Sequence, residues 1–267
     1  MSELPVRFDD GAETVLERWG TSGPVMLLLH GMTSSRKGWE RLAQAFSDRY
    51  RVFAYDQRGH GDAASVHGPM ALSRGMRDLA EVAGGLAEPI DVVVGHSWGG
   101  AVAILGAPPI GARCVVAIDP MLNQAPDVWY AEYLAELAGV FALEGDDRER
   151  RVRSEYPGHP LDVEGKVHAM RSMSVAPIAG LQRENPAAAW PLPAALAAYD
   201  RPLLLAMADP AKSIVDAATM SRVRAMVPPT VEIVTFAGAG HSLHRTDFEA
   251  FERELRRFLQ PHAQQPR

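Results

Sequence analysis

The chain has 267 residues, 47% of them hydrophobic and 22% charged, with a net charge of −6. That is the composition of an ordinary globular chain, long enough for one large α/β domain with an insertion. The acidic balance argues against nucleic acid or an anionic membrane as a main partner, because both need a basic surface.

In chain order, residues 4–19 alternate loosely (Val6, Phe8, Val15, Leu16, Trp19) around Asp9, Asp10 and Gly11, which predicts a short antiparallel hairpin. The segment MSELPVRFDD lacks the basic and apolar regions of a signal peptide, and no apolar stretch approaches a membrane span, so a cytoplasmic protein is expected. Val25 to Leu29 read as a dense strand ending in His30 and Gly31, and Trp39, Leu42, Ala43 and Phe46 then recur at helical spacing. Val52 to Tyr55 form another strand before the loop QRGHGDA, and a helix is predicted from about Ser73.

Residues 90–96 are a strand, residues 98–106 a small-residue helix, and Cys114 to Ile118 the next strand, closing at Asp119. Cys114, the one cysteine, excludes an internal disulfide and reads as a small buried hydrophobe. From Met121 to Asp200 the strand rhythm stops and Ala, Met, Pro and aromatics dominate, which predicts a helical cap with a Pro-rich exit at Pro186 to Pro193. Within it, the basic run Arg148 to Arg153 is interleaved with Glu149 and reads as a solvated face. Residues 203–206 resume the core, followed by a helix from about Ser213 to Met226, a strand at 231–236, and a last helix with a Thr246/Glu249 capping box and an apolar stripe from Phe248 to Leu259. Alternating strands and helices imply a parallel sheet covered on both faces, with ligands at the carboxyl ends of the strands.

The chemistry centres on IDVVVGHSWGG at residues 90–100, where an apolar run stops at a serine ringed by glycines. In GxSxG a tight strand-to-helix turn pushes the Ser97 hydroxyl into an open site, and Gly95 and Gly99 leave room for the chain to pass. A nucleophilic serine needs a base, and His241 in AGAGHSLHR follows the final strand; His244 is expected to be exposed. The orienting carboxylate is expected to be Asp209, which gives the chain order serine, acid, histidine, with Asp119 as the alternative because it also ends a strand. The N–H groups of Trp98 and Met32 are placed to form an oxyanion hole, with His30 supporting that turn by hydrogen bonding.

Together, HGMTSSRKGW at 30–39, DQRGHGDA at 56–63, GHSWGG at 95–100, ADP at 208–210 and GHSLHR at 240–245 make the chain resemble the α/β-hydrolase fold superfamily, in particular its capped serine esterase and lactonase-like group. The resemblance implies an α/β fold with a mostly parallel eight-stranded sheet, residues 1–120 and 201–267 forming the core and 121–200 the cap. It also makes Asp56 and Arg58 structural, and it departs at Ala63, where the family often has serine. The serine at position 97 separates the chain from similar epoxide hydrolases and haloalkane dehalogenases, which carry aspartate there.

The expected reaction is hydrolysis of a small hydrophobic ester, lactone or thioester, without metal or organic cofactor: there is no HExxH, no clustered cysteines and no GxGxxG loop. Trp129, Tyr130, Tyr133 and Leu243 are candidate substrate-binding residues. Carbon–carbon bond hydrolysis and cofactor-free perhydrolysis use the same triad in similar proteins, and a non-catalytic ligand-binding protein on this fold is the alternative from another class.

Overall fold

The structure, a computed structural model, describes residues 2–65, 68–125 and 127–262. The chain opens with strands β1 (Ser2–Arg7) and β2 (Glu13–Trp19), which pair antiparallel around a turn where Gly11 has a φ of 84°, as the alternation predicts. Then come β3 (Val25–Leu29), α1 (Glu40–Phe46), β4 (Arg51–Tyr55), α2 (Leu72–Leu86), β5 (Ile90–His96), α3 (Trp98–Gly106) and β6 (Cys114–Ile118). An insertion follows with α4 (Asp127–Phe141), α5 (Gly145–Glu155), α6 (Pro160–Ser172), α7 (Ala176–Glu184) and α8 (Leu192–Ala197). The core closes with β7 (Leu203–Met207), α9 (Ala217–Met226), β8 (Val231–Thr235), α10 (Leu243–Thr246) and α11 (Phe248–Leu259).

The eight strands make one sheet in the order β1-β2-β4-β3-β5-β6-β7-β8, parallel from β4 to β8 and antiparallel at β2. Every residue of β3, β5, β6 and β7 is buried. Helices cover both faces, which is why these strands are continuous apolar runs and do not alternate. Leu27 and Leu29 face the α2/α3 side, whose apolar core runs on into the cap through Tyr130, Leu137, Met170 and Ile178. Met26 and Leu28 face the other side, where Trp39 and the α11 stripe Phe248, Phe251, Leu255, Phe258 and Leu259 pack.

Local details depart from expectation where tertiary contacts compete for a polar side chain. The Thr246/Glu249 box does not form: Thr246 ends α10, α11 starts at Phe248, and Glu249 pairs with Arg41 at 2.8 Å. The α9 helix starts at Ala217, capped by Asp216 on the Thr219 N–H at 2.8 Å, because the upstream Ser213 hydroxyl is bound elsewhere. The Pro-rich exit folds into a 3-10 turn and α8, which packs on α3 and α9 beneath the cap. Arg148 is not simply a solvated charge; its guanidinium donates to the carbonyls of Phe141, Leu143, Met170 and Arg171, capping the ends of α4 and α6. Asp56 and Arg58 are buried and structural in setting: Asp56 accepts from the Arg36 backbone and side chain, and Arg58 pairs with Asp78 at 2.6 Å. Among the described residues no helix is long and apolar enough to cross a membrane.

Candidate active site

Ser97 stands between the end of β5 and the start of α3 with φ 55° and ψ −117°, a conformation L residues rarely adopt. The surroundings hold it there: its N–H donates to Ile118 O at 3.0 Å, and its carbonyl accepts from Ala101 N at 3.1 Å and Met121 N at 3.2 Å. The flanking glycines are steric necessities. A Cβ on Gly95 would lie 2.2 Å from Gly99 O, and one on Gly99 would lie 2.3 Å from Leu29 O. Both obstacles are backbone and cannot step aside. Gly99→Ala is expected to destabilise the fold by about 3 kcal/mol or more, the upper end for overpacking, seen as a lower urea midpoint.

The turn after β3 reaches the serine because position 31 has no side chain: a Cβ on Gly31 would lie 2.8 Å from the Ser97 Cβ. Met32 follows directly. Trp98 is the first residue of α3, where a helix leaves its leading N–H groups free. These two N–H groups are the candidate oxyanion donors. The turn is braced by His30, whose Nδ1 donates to Gly31 O at 2.8 Å while its Nε2 accepts from Gln57 N at 2.9 Å. Burial holds His30 well below its ordinary pKa, so it is a neutral strut.

His241 follows β8, and its ring lies 4.5 Å from that of His96, the residue before Ser97, tilted by 41°. The His96 Nε2 donates to the His241 carbonyl at 3.0 Å and anchors that loop. The carboxylate on the imidazole is Asp119: its Oδ2 lies 2.7 Å from His241 Nδ1 and also accepts from Ile214 N at 3.2 Å. Its Oδ1 accepts from Ser213 Oγ at 2.6 Å and Ala208 N at 3.1 Å. A fully buried carboxylate with four donors is held in one orientation. It can only accept, so Nδ1 carries the imidazole proton and Nε2 keeps its lone pair.

This corrects the expectation for Asp209. That carboxylate accepts from Gly238 N at 2.7 Å and Ala211 N at 2.9 Å at the surface, and these two donors, Gly238 first, hold it below its ordinary pKa. The chain turns tightly after β7, with the N–H groups of Lys212 and Ser213 on Asp209 O at 2.8 Å, and spends Asp209 on the turn. Asp119 instead has a φ of 36° at the end of β6, and its carboxylate reaches across the end of β7 to the histidine.

Three further expectations change. His244 is 2% exposed, its ring lying 4.8 Å from Trp39 and 4.5 Å from His96. Leu243 is buried on the α1/α11 face, and Tyr130 points into the cap interior with its hydroxyl on Gln124 at 2.8 Å; neither is open to a substrate. Trp129 and Tyr133 stack at 4.9 Å and are half-buried. The serine itself is 3% exposed.

Lys166, which no motif singles out, is a buried amine on α6 that donates to Thr33 O at 2.8 Å and Thr33 Oγ1 at 2.9 Å. A single lysine in a helix carries no signal of burial. Nearby, Asp56, Asp62 and His168 lie close enough together to share a cation. The Arg36 guanidinium already binds both carboxylates, so the positive charge there is the protein's own.

A serine on a strained strand–helix turn, a histidine after the last strand and a carboxylate on that histidine define a hydrolase of the α/β class. The chain belongs to the alpha/beta hydrolase family, whose pattern it matches over residues 26–254. It is 37% identical over 115 residues to 2-(acetamidomethylene)succinate hydrolase of Mesorhizobium japonicum, covering 42% of this chain and 41% of that one. It is 33% identical over 134 residues to the magnesium-chelatase 30 kDa subunit of Rhodobacter capsulatus, covering 48% and 46%. The matched stretch spans less than half the length of these two relatives. The solved structure of E-2-(acetamidomethylene)succinate hydrolase superposes with a TM-score of 0.75 at 25% identity over 97% of this chain and 99% of that one. A carboxylesterase of Bacillus subtilis superposes at 0.77 with 20% identity over 97% and 92%, a likeness of fold.

Proposed function

We propose that this hydrolase cleaves a carboxylic ester, lactone or thioester bearing a hydrophobic group, through an acyl-enzyme on Ser97. The observation that carries this reading is the 2.7 Å contact of His241 Nδ1 with a fully buried Asp119 carboxylate, beside a serine in the elbow conformation. His241 Nε2 takes the Ser97 proton as Oγ attacks the carbonyl carbon, the oxyanion is held by the N–H groups of Met32 and Trp98, and the proton passes to the leaving alcohol or thiol oxygen or sulfur. A water then gives its proton to Nε2 and its oxygen to the acyl carbon, releasing the acid and restoring the serine. Asp119 orients the ring and offsets its charge while it is protonated.

Trp129 and Tyr133 supply apolar area at the cap for the acyl or alcohol group, so the partner proposed is a small hydrophobic molecule. A buried, unpaired Cys114 fits a reducing cytoplasm. The partial identity to 2-(acetamidomethylene)succinate hydrolase favours a second reading, in which the substrate is an amide-bearing dicarboxylate.

The test is a series of p-nitrophenyl esters from acetate to long acyl chains, small lactones and 2-(acetamidomethylene)succinate, with fluorophosphonate labelling mapped by mass spectrometry. Expected are ester hydrolysis and labelling at Ser97. Turnover confined to the amido-dicarboxylate would select the second reading, and saturable ligand binding with no labelling of Ser97 would sink both.

A further inference from the structure

The turn that offers the Met32 N–H is held from the cap. Thr33 has a φ of 54°, the left-handed region that a β-branched residue strongly disfavours, so something outside the turn must keep it there. Lys166 meets that need with two donors, one to the Thr33 carbonyl at 2.8 Å and one to its hydroxyl at 2.9 Å, and Tyr133 OH meets the same hydroxyl at 3.1 Å. Lys166 in turn is fixed by the seating of α6 on the core. A Cβ on its neighbour Gly165 would lie 2.7 Å from the Gly38 backbone, and the Gly165 carbonyl accepts from Ser35 Oγ at 3.2 Å. The ammonium also sits 4.3 Å from the centre of the Tyr156 ring.

We propose that Lys166 is a positioning residue: by clamping the strained Thr33 backbone from α6, it aims the Met32 N–H at the oxyanion and makes the oxyanion hole depend on the seated cap. The inference rests on the reading of Ser97 as nucleophile and Met32 as oxyanion donor. Burial brings the Lys166 amine down to about 7, with Arg245 adding to the fall and Glu155 and Glu136 opposing it. An amine in that setting costs stability that an apolar side chain would not. A purely structural position would therefore be filled better by methionine.

The experiment compares wild type with Lys166→Met, which keeps the length and loses the donors, and Lys166→Gln, which keeps a neutral donor and carries the comparison if the methionine variant does not fold. Backbone 15N order parameters of Met32 and Thr33 are expected to fall from about 0.85 to below about 0.7 in Lys166→Met. Ester-hydrolysis kcat is expected to fall about 10- to 100-fold with KM within about threefold, because an oxyanion donor acts in the transition state. Affinity for a boronic acid, which forms a tetrahedral adduct on Ser97, should fall in step with kcat, and Lys166→Gln should lie between. Unchanged order parameters, or a lower melting temperature with kcat intact, would overturn the inference while leaving the serine mechanism standing. Full ester activity in Ser97→Ala, run alongside, would instead overturn the serine mechanism itself and the inference with it.

Discussion

Ser97→Ala is expected to lower kcat at least about a thousandfold, and as far as about a millionfold if the serine and histidine act as one unit. The hydroxyl oxygen is the atom that would bond the acyl carbon, and no neighbour can take its place. The fold should survive, because the contacts that hold the elbow come from the Ser97 backbone: the N–H on Ile118 O at 3.0 Å and the carbonyl under Met121 N at 3.2 Å. Alanine keeps these and adds no atoms. The measurement is p-nitrophenyl ester turnover beside a thermal melt, and a variant that melts like wild type yet turns over at near wild-type rates would end the acyl-enzyme proposal.

The second large effect separates two aspartates that end neighbouring strands. Asp119→Asn is expected to cost about ten-thousandfold in kcat, because an amide facing His241 Nδ1 can donate its own N–H and so favour the tautomer with the proton on Nε2, which cannot accept one from serine. Asparagine at 119 would also have to replace a carboxylate that now accepts from His241, Ile214, Ser213 and Ala208, so some loss of stability should accompany the kinetic defect. Asp209→Asn should leave kcat within a factor of about two to three, the usual range for a surface substitution, because that carboxylate serves only the turn at Gly238 and Ala211. Ester turnover in the two single variants decides the matter, and a reversed ranking would move the acid role to Asp209.

Much of this site could be read from the chain because its parts are local. Gly95, Ser97 and Gly99 lie within five residues, and the steric reason for each glycine, a backbone oxygen about 2.2–2.3 Å from where a Cβ would stand, follows from the turn that the motif itself encodes. The strands β3, β5, β6 and β7 were visible as apolar runs, and His241 was marked by its place after the last of the parallel strands. The acid was harder, because Asp119 and Asp209 both follow adjacent parallel strands, Asp119 directly after β6 and Asp209 two residues past the end of β7. The difference between them lies in backbone dihedrals and turn hydrogen bonds, which spacing does not encode. The burial of Tyr130, Leu243 and His244 is illegible for a related reason: each helical residue is rotated by about 100° from the one before it, so which of them turns inward depends on how the helix is seated against its neighbours.

By itself the sequence determined the α/β architecture and the strand–helix turn at Ser97, and it pointed to His241 as a candidate base and to a helical stretch between β6 and β7, because each depends on hydrophobic period or on residues a few positions apart. Only the tertiary structure decided that Asp119 serves His241, that Asp209 is spent on a turn, and that Lys166 reaches from α6 to Thr33, 133 positions away along the chain. Those pairings are made where separate elements meet, and the direction of a side chain there is set by packing and hydrogen bonding across the fold.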